Sequence, residues 1–281
     1  MKNKTQTKKT TSQIIIQICL VIWALVQIFP LYWLLTFSLK DNTEIFQGNM
    51  IGLPKNWRFD NYENAFMGGN VGRYLLNSII VTGATIVIVV LFSLMASYAL
   101  VRMKWKLRKS MQLLFIAGIT IPIHAALLPV FIMLRNLHLL NSYWALIIPY
   151  SAFAVPIAIM ISSGFIAGIP NEMEEAACID GCNIYQTFFR IIFPLMRPSM
   201  ATIAIFTFLQ SWNELMYAVV FISNPKYKTL TVGIQSMVGQ YTTDWGPIGA
   251  GLVVATFPII IIYLILNKQV QQSLIAGAVK G

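Results

Sequence analysis

Six long apolar runs limit what this chain can fold into more than any other feature. They cover about 14–39, 75–101, 111–134, 143–169, 200–222 and 248–266, and roughly 18 to 20 apolar residues suffice for a helix to cross a bilayer. The second run carries no charge. In lipid the backbone must bond to itself, which leaves helices as the solution for segments of this length. Charged residues make up 11% of the chain and hydrophobic ones 57%, about half the charge of an ordinary soluble domain. The sequence predicts an all-α integral membrane protein: a single transmembrane domain over 1–281 with six transmembrane helices.

The charges between the runs orient that domain. A net charge of +10 would suggest nucleic acid in a soluble protein, but here the basic residues sit in short clusters beside the apolar runs, with no basic reading helix between them. With both termini cytoplasmic, inside segments hold 13 Lys and Arg and outside segments 7, the asymmetry of the positive-inside rule. The densest cluster, Arg102, Lys104, Lys106, Arg108 and Lys109, then faces the cytoplasm. The basic start, with Lys2, Lys4, Lys8 and Lys9, precedes a run too long for a secretory signal, so that run is expected to stay as the first helix. Pro122 and Pro129 in the third run and Pro149 and Pro156 in the fourth predict interruptions. Trp33, Tyr74, Trp105, Trp144 and Tyr217 near run ends fit interfacial belts. Cys19, Cys178 and Cys182 have no histidine at metal spacing and form no disulfide framework, so no metal site is expected.

The segment 170–198 is the polar stretch with the clearest design. Pro170 can occupy a first turn, Asn171 can cap, and Glu172, Glu174 and Glu175 crowd the positive end of the helix dipole. Ala176 and Ala177 leave a surface that another protein can approach closely, and Gly181 stops the helix. Tyr185, Phe188, Phe189 and Ile192 then recur at helical spacing before Pro194. Helices that lie on lipid favour a basic polar face, and this one is acidic, so a protein partner fits better than a membrane surface.

Glu174-Glu175-Ala176-Ala177, with Asp180-Gly181, Ile192, Pro194 and Pro198 following, resembles the coupling-loop motif of ABC importer permeases. Ser211-Trp212-Asn213-Glu214 in the fifth run, the end Ala276-Gly277-Ala278-Val279-Lys280-Gly281, Asn77-Ser78, and the paired Pro122 and Pro129 look like the shorter permease of the carbohydrate, maltose-type branch. The resemblance implies a cytoplasmic coupling helix between helices 4 and 5, with Glu174, Glu175, Ala176, Ala177, Asp180, Gly181 and Pro194 engaging a partner ATPase. It implies a tail whose Ala276, Gly277, Lys280 and Gly281 reach that ATPase, and an extra N-terminal helix packed on the partner permease. The implied partners are a second, homologous permease, two copies of the ATPase, and an external sugar-binding protein. The sequence has no Gly-x-x-x-x-Gly-Lys-Ser/Thr loop. ATP and Mg are therefore expected on the partner, with no catalysis and no cofactor in this chain, in a bacterial or archaeal cell membrane.

Two ionisable residues fall inside apolar runs, where such groups are costly. Glu214, beside Trp212 and Asn213, reads either as pathway lining or as a structural carboxylate bonded to a neighbouring helix. His124, between two prolines, reads as pathway lining or as a neutral imidazole bonded within the bundle; the family varies there, so no role transfers to it. Against the sugar importer stand an ABC permease for another solute and an ion-coupled secondary transporter. The latter needs internal repeats, and none is evident.

Overall fold

The structure, a computed structural model, describes residues 11–239 and 242–278, with side chains over 12–239 and 242–266. Its helices are, in chain order, α1 (Thr11–Phe37), α2 (Asn42–Phe46), α3 (Asp60–Met67), α4 (Val71–Val101), α5 (Arg108–Thr120), α6 (Leu127–Asn136), α7 (Trp144–Ile166), α8 (Glu172–Ile179), α9 (Ile184–Thr187), α10 (Phe193–Leu195), α11 (Arg197–Trp212), α12 (Met216–Phe221), α13 (Leu230–Gln235) and α14 (Trp245–Ala278). A 3-10 turn at Ile123–Ala126 precedes α6 and a π turn at Phe188–Ile192 joins α9 to α10. Among the described residues four helices are long and apolar enough to span a membrane, and two bent helix pairs raise the number to as many as six.

A proline decides where the third run breaks. Ile121, just before Pro122, is extended (ψ 115), as a residue preceding proline prefers, and this ends α5. Pro129 sits in the first turn of α6, where no backbone donor is needed. The third run is consequently two helices bent by 95°, not one kinked helix. Pro149 and Pro156, by contrast, lie within α7 and leave it continuous. The fifth run also differs from expectation: α11 starts at Arg197 and stops at Trp212, and α12 resumes after Asn213, Glu214 and Leu215.

The chain divides into two units. One comprises Met1–Gly69 and Met237–Val254, and its ordering group is Lys40. Lys40 is fully buried, and its Nζ donates to the carbonyls of Asn49 and Gly52 at 2.7 Å each. Burial holds the amine below its ordinary value against the smaller opposing pull of the Glu44 carboxylate. The Asn61 amide ties the same loop by donating to the carbonyls of Ser38 and Lys40, both at 2.9 Å.

The other unit comprises Asn70–Ser236 and Ala255–Gly281, and α4 packed against α7 is its spine. Small hydroxyl residues line that contact, as lipid-embedded helices require for close approach. Ser162 on α7 donates to its own Ala158 carbonyl at 2.7 Å and reaches the Ser93 carbonyl of α4 at 3.4 Å. Asn77 has its side-chain amide committed, donating to the carbonyls of Lys226 and Lys228 and accepting from the Tyr143 hydroxyl. Two apolar clusters fill this unit. One gathers Leu146, Tyr150, Tyr217, Phe221 and Ile222; the other gathers Leu94, Tyr98, Ile166, Phe188, Ile192 and Ile203. Each lies under one of the candidate sites.

Candidate functional site

The coupling segment is built from α8 to α10. Acids at Glu172, Glu174 and Glu175 occupy the first turn of α8, where the dipole favours them. Asn171 stands at the cap position but makes no capping bond; its side-chain oxygen accepts from Arg102 instead. Gly181 terminates the helix with φ +79. The Cys182 amide donates to the Ala177 carbonyl at 2.9 Å and the Gly181 amide to Cys178 at 3.1 Å, a Schellman end that needs a left-handed residue at this point. α9 opens on a reciprocal cap, with Asn183 and Gln186 bonding each other's backbone amides. The π turn then carries the chain into Pro194, whose ring would crowd the Arg190 carbonyl in a tight α-turn.

Inward, α8 is fastened to the rest of its unit. The Arg102 Nε lies 2.9 Å from Glu174 Oε1, with the two side chains 13% and 20% exposed. Both atoms are buried and neither makes a hydrogen bond, so the contact is one of charge rather than of a directed N–H. The Tyr98 hydroxyl, one helical turn before Arg102, donates to Glu174 Oε2 at 3.0 Å, and its ring packs on Phe188 with centroids 5.2 Å apart. The Arg102 Nη2 donates to the carbonyls of Ile166, at 2.9 Å, and Ile169. Outward, Glu172, Glu175, Ala176 and Ile179 share the opposite face of α8 and are exposed. Ile179 is 86% exposed. Glu174, expected to point toward a partner, therefore binds within the chain, while Glu175 stays outside.

The break in the fifth run is organised by Glu214, which is 8% exposed. Its Oε2 accepts from the Tyr150 hydroxyl at 3.0 Å and the Tyr217 amide at 2.9 Å, and its Oε1 accepts from the Met216 amide at 3.1 Å. The carboxylate thus sits on the amide end of α12. Tyr217, expected in an interfacial belt, is fully buried, and its hydroxyl donates to the Ile123 carbonyl at 2.7 Å. That bond joins the break in the fifth run to the break in the third. His124 is brought to the same place, with Nδ1 4.0 Å from Glu214 Oε1 and its side chain 61% exposed, too far for a hydrogen bond.

The remaining expected site residues scatter. Trp212 is buried, stacks on Phe208 and donates to the Ala255 carbonyl at 3.1 Å. Asn213 is exposed and donates to the Leu209 carbonyl at 2.9 Å. Ala177 is buried; Asp180, Gly181 and Pro194 are exposed. Ala276 and Gly277 lie in the backbone of α14, and Lys280 and Gly281 lie outside the described residues, as does the basic stretch of Lys2, Lys4, Lys8 and Lys9. Among the described residues no group of three His, Cys, Asp or Glu side chains is placed to hold a metal.

Sequence reasoning missed Arg102 and Tyr98. Arg102 was counted only as a topological charge, yet its spacing of four from Tyr98 puts both on one helix face. Asn183 with Gln186 was a readable capping signal.

Residues 89–276 match the model of the family described as binding-protein-dependent transport system inner membrane component. The chain is 33% identical over its whole length to a probable ABC transporter permease of Bacillus subtilis, covering 93% of that protein. It is 34% identical to a diacetylchitobiose uptake system permease of Streptomyces coelicolor, over 92% of this chain and 86% of that one. It is 32% identical to a melibiose, raffinose and stachyose import permease of Bacillus subtilis, over 97% and 99% of the two. In fold it is similar to a chain of a bacterial ABC transporter involved in the import of the acidic polysaccharide alginate, with a TM-score of 0.82 at 22% identity over 94% and 99% of the two chains.

Proposed function

The chain belongs to the family of inner membrane components of binding-protein-dependent transport systems, and from that premise we propose that it is one permease of an ATP-driven oligosaccharide importer. The substrate class rests on relatives named for diacetylchitobiose and for melibiose, raffinose and stachyose. In this reading the chain crosses the membrane six times with both termini cytoplasmic, α5 with α6 counting as one crossing and α11 with α12 as another. It supplies half of the pathway beside a second, homologous permease. Two copies of an ATPase bind ATP and Mg on the cytoplasmic side, a binding protein delivers sugar outside, and this chain carries out no chemistry of its own.

The observation that carries the proposal is the outward face of α8. Glu172, Glu175, Ala176 and Ile179 form an acidic and apolar strip that is exposed among the described residues, Ile179 to 86%, and a strip of that mixed character supports docking of a protein partner. Ala176 lets the partner's groove approach the helix backbone, Glu175 supplies charge to a basic rim, and Asp180, Gly181 and Pro194 shape the end of the segment. ATP-driven closure of the ATPase dimer then displaces α8, and its different affinities for the two permease states bias the pathway. Glu214 and Tyr217 hold the two helix breaks together. Asn213 and His124, exposed at those breaks, are the side chains available to passing sugar hydroxyls, while the tail residues Ala276, Gly277, Lys280 and Gly281 extend the ATPase contact.

Purification of the complex from its native membrane in mild detergent tests this. An ATPase and a second permease should co-purify, and Glu175→Lys should release the ATPase. A chain that purifies alone and moves solute on an ion gradient would overturn the proposal.

A further inference from the structure

Arg102 stands where three elements of one unit end. It follows the last residue of α4, its Nη2 donates to the Ile166 and Ile169 carbonyls at the close of α7, and its Nη1 and Nε engage Asn171 and Glu174 at the opening of α8. Between α7 and α8 lies only a short turn containing Gly168 and Pro170. A turn of that kind, left to itself, would absorb a displacement of α8 by flexing. The guanidinium spans it, and Tyr98 adds a second contact to the same carboxylate while packing on Phe188 beyond α9.

We infer that Arg102, through Glu174, Asn171 and the α7 carbonyls, is a positioning residue that makes the ends of α4 and α7 and the helix α8 move as one body. The inference rests on the reading of α8 as the helix that docks the ATPase. It separates two neighbouring acids by role: Glu174 fastens α8 from within, and Glu175 remains for the partner. A planar fork with several fixed donors can hydrogen-bond two carbonyls and an amide oxygen while its charge faces a carboxylate, and the point charge of a lysine cannot.

The test uses the complete importer in liposomes, with sugar uptake and ATP hydrolysis measured in the same preparation. In Arg102→Met the ATPase stays bound and hydrolyses ATP, but sugar moved per ATP falls about tenfold, within the usual span of allosteric coupling. Arg102→Lys recovers part of the ratio. A residue with only a structural role would lower the amount of assembled transporter and leave the ratio alone, so a normal ratio in Arg102→Met overturns the inference. Should that variant not assemble, Glu174→Gln decides: it keeps the shape and the carbonyl bonds but loses the ion pair, and an unchanged ratio there overturns the inference equally. Glu175→Lys keeps the two claims apart. If it retains the ATPase and full uptake, the docking reading fails whatever Arg102 does.

Discussion

At the coupling segment the Glu174 carboxylate meets a guanidinium, and at the break in the fifth apolar run the Glu214 carboxylate meets three neutral donors. The first is 20% exposed at its side chain and the second 6%. Attraction between opposite charges falls off gradually with distance, so such a pair keeps its hold through a small displacement. Hydrogen bonds from fixed amide and hydroxyl donors weaken steeply when distance or angle changes, and each orphaned group carries its own desolvation cost. The coupling segment is therefore fastened in a way that survives displacement, while the Glu214 site holds its two helix breaks rigidly. A transporter that takes up motion at one face and reshapes a pathway in its interior needs both kinds of attachment.

The largest expected effect breaks the rigid site. Glu214→Ala leaves the Tyr150 hydroxyl and the Met216 and Tyr217 amides unpartnered, at a cost of about 3 kcal/mol or more, read as a lower unfolding midpoint in detergent. Glu174→Ala should cost less, about 1 to 2 kcal/mol, because the Arg102 guanidinium keeps its other hydrogen bonds and is partly solvated. Added salt should shrink the Glu174 effect and leave that of Glu214 unchanged. Equal losses, or equal salt dependence, would break the comparison. Gly181→Ala tests the coupling segment alone: no neighbour would touch the added methyl, so only its φ of +79 resists, worth about 1 kcal/mol. Gly181→Asn should cost less.

The smallest effect lies in the other unit and is a pH dependence. Burial disfavours the Glu44 charge, but bonds from the Lys55 amide and the Asn49 side chain outweigh it and hold the carboxyl below its ordinary 4.5. Its contribution to loop order is thus fully present above pH 4.5 and is lost as the pH falls through the lower folded value. Amide protection in the loop that follows α2, taken relative to intrinsic exchange at each pH, should fall at acid pH in the native chain and lose that dependence in Glu44→Gln.

What the sequence disclosed follows from how local each cause is. The acidic start of α8 and its end at Gly181 were legible because capping and helix termination are decided within a few residues. The break at Pro122 was only half legible: proline announces an interruption, but whether a helix kinks, breaks or continues, as α7 does through Pro149 and Pro156, depends on the neighbours that take up the freed carbonyls. The two roles left open for Glu214 are separated by distant partners, Tyr150 above all, which no spacing reveals. Arg102 was hidden by its company, since a cation in a basic cluster at the end of a charge-free run already has a topological explanation. Lys40 was hidden by its type, because a lysine in a polar loop is expected in water.

The most direct measurement is sugar uptake by liposomes holding the complete importer, with ATP supplied to the face that carries α8 and the ion gradients collapsed. The account predicts ATP-dependent oligosaccharide uptake that ignores the gradients and is abolished by Glu175→Lys. Uptake that needs no ATP and disappears with the ion gradient would contradict it.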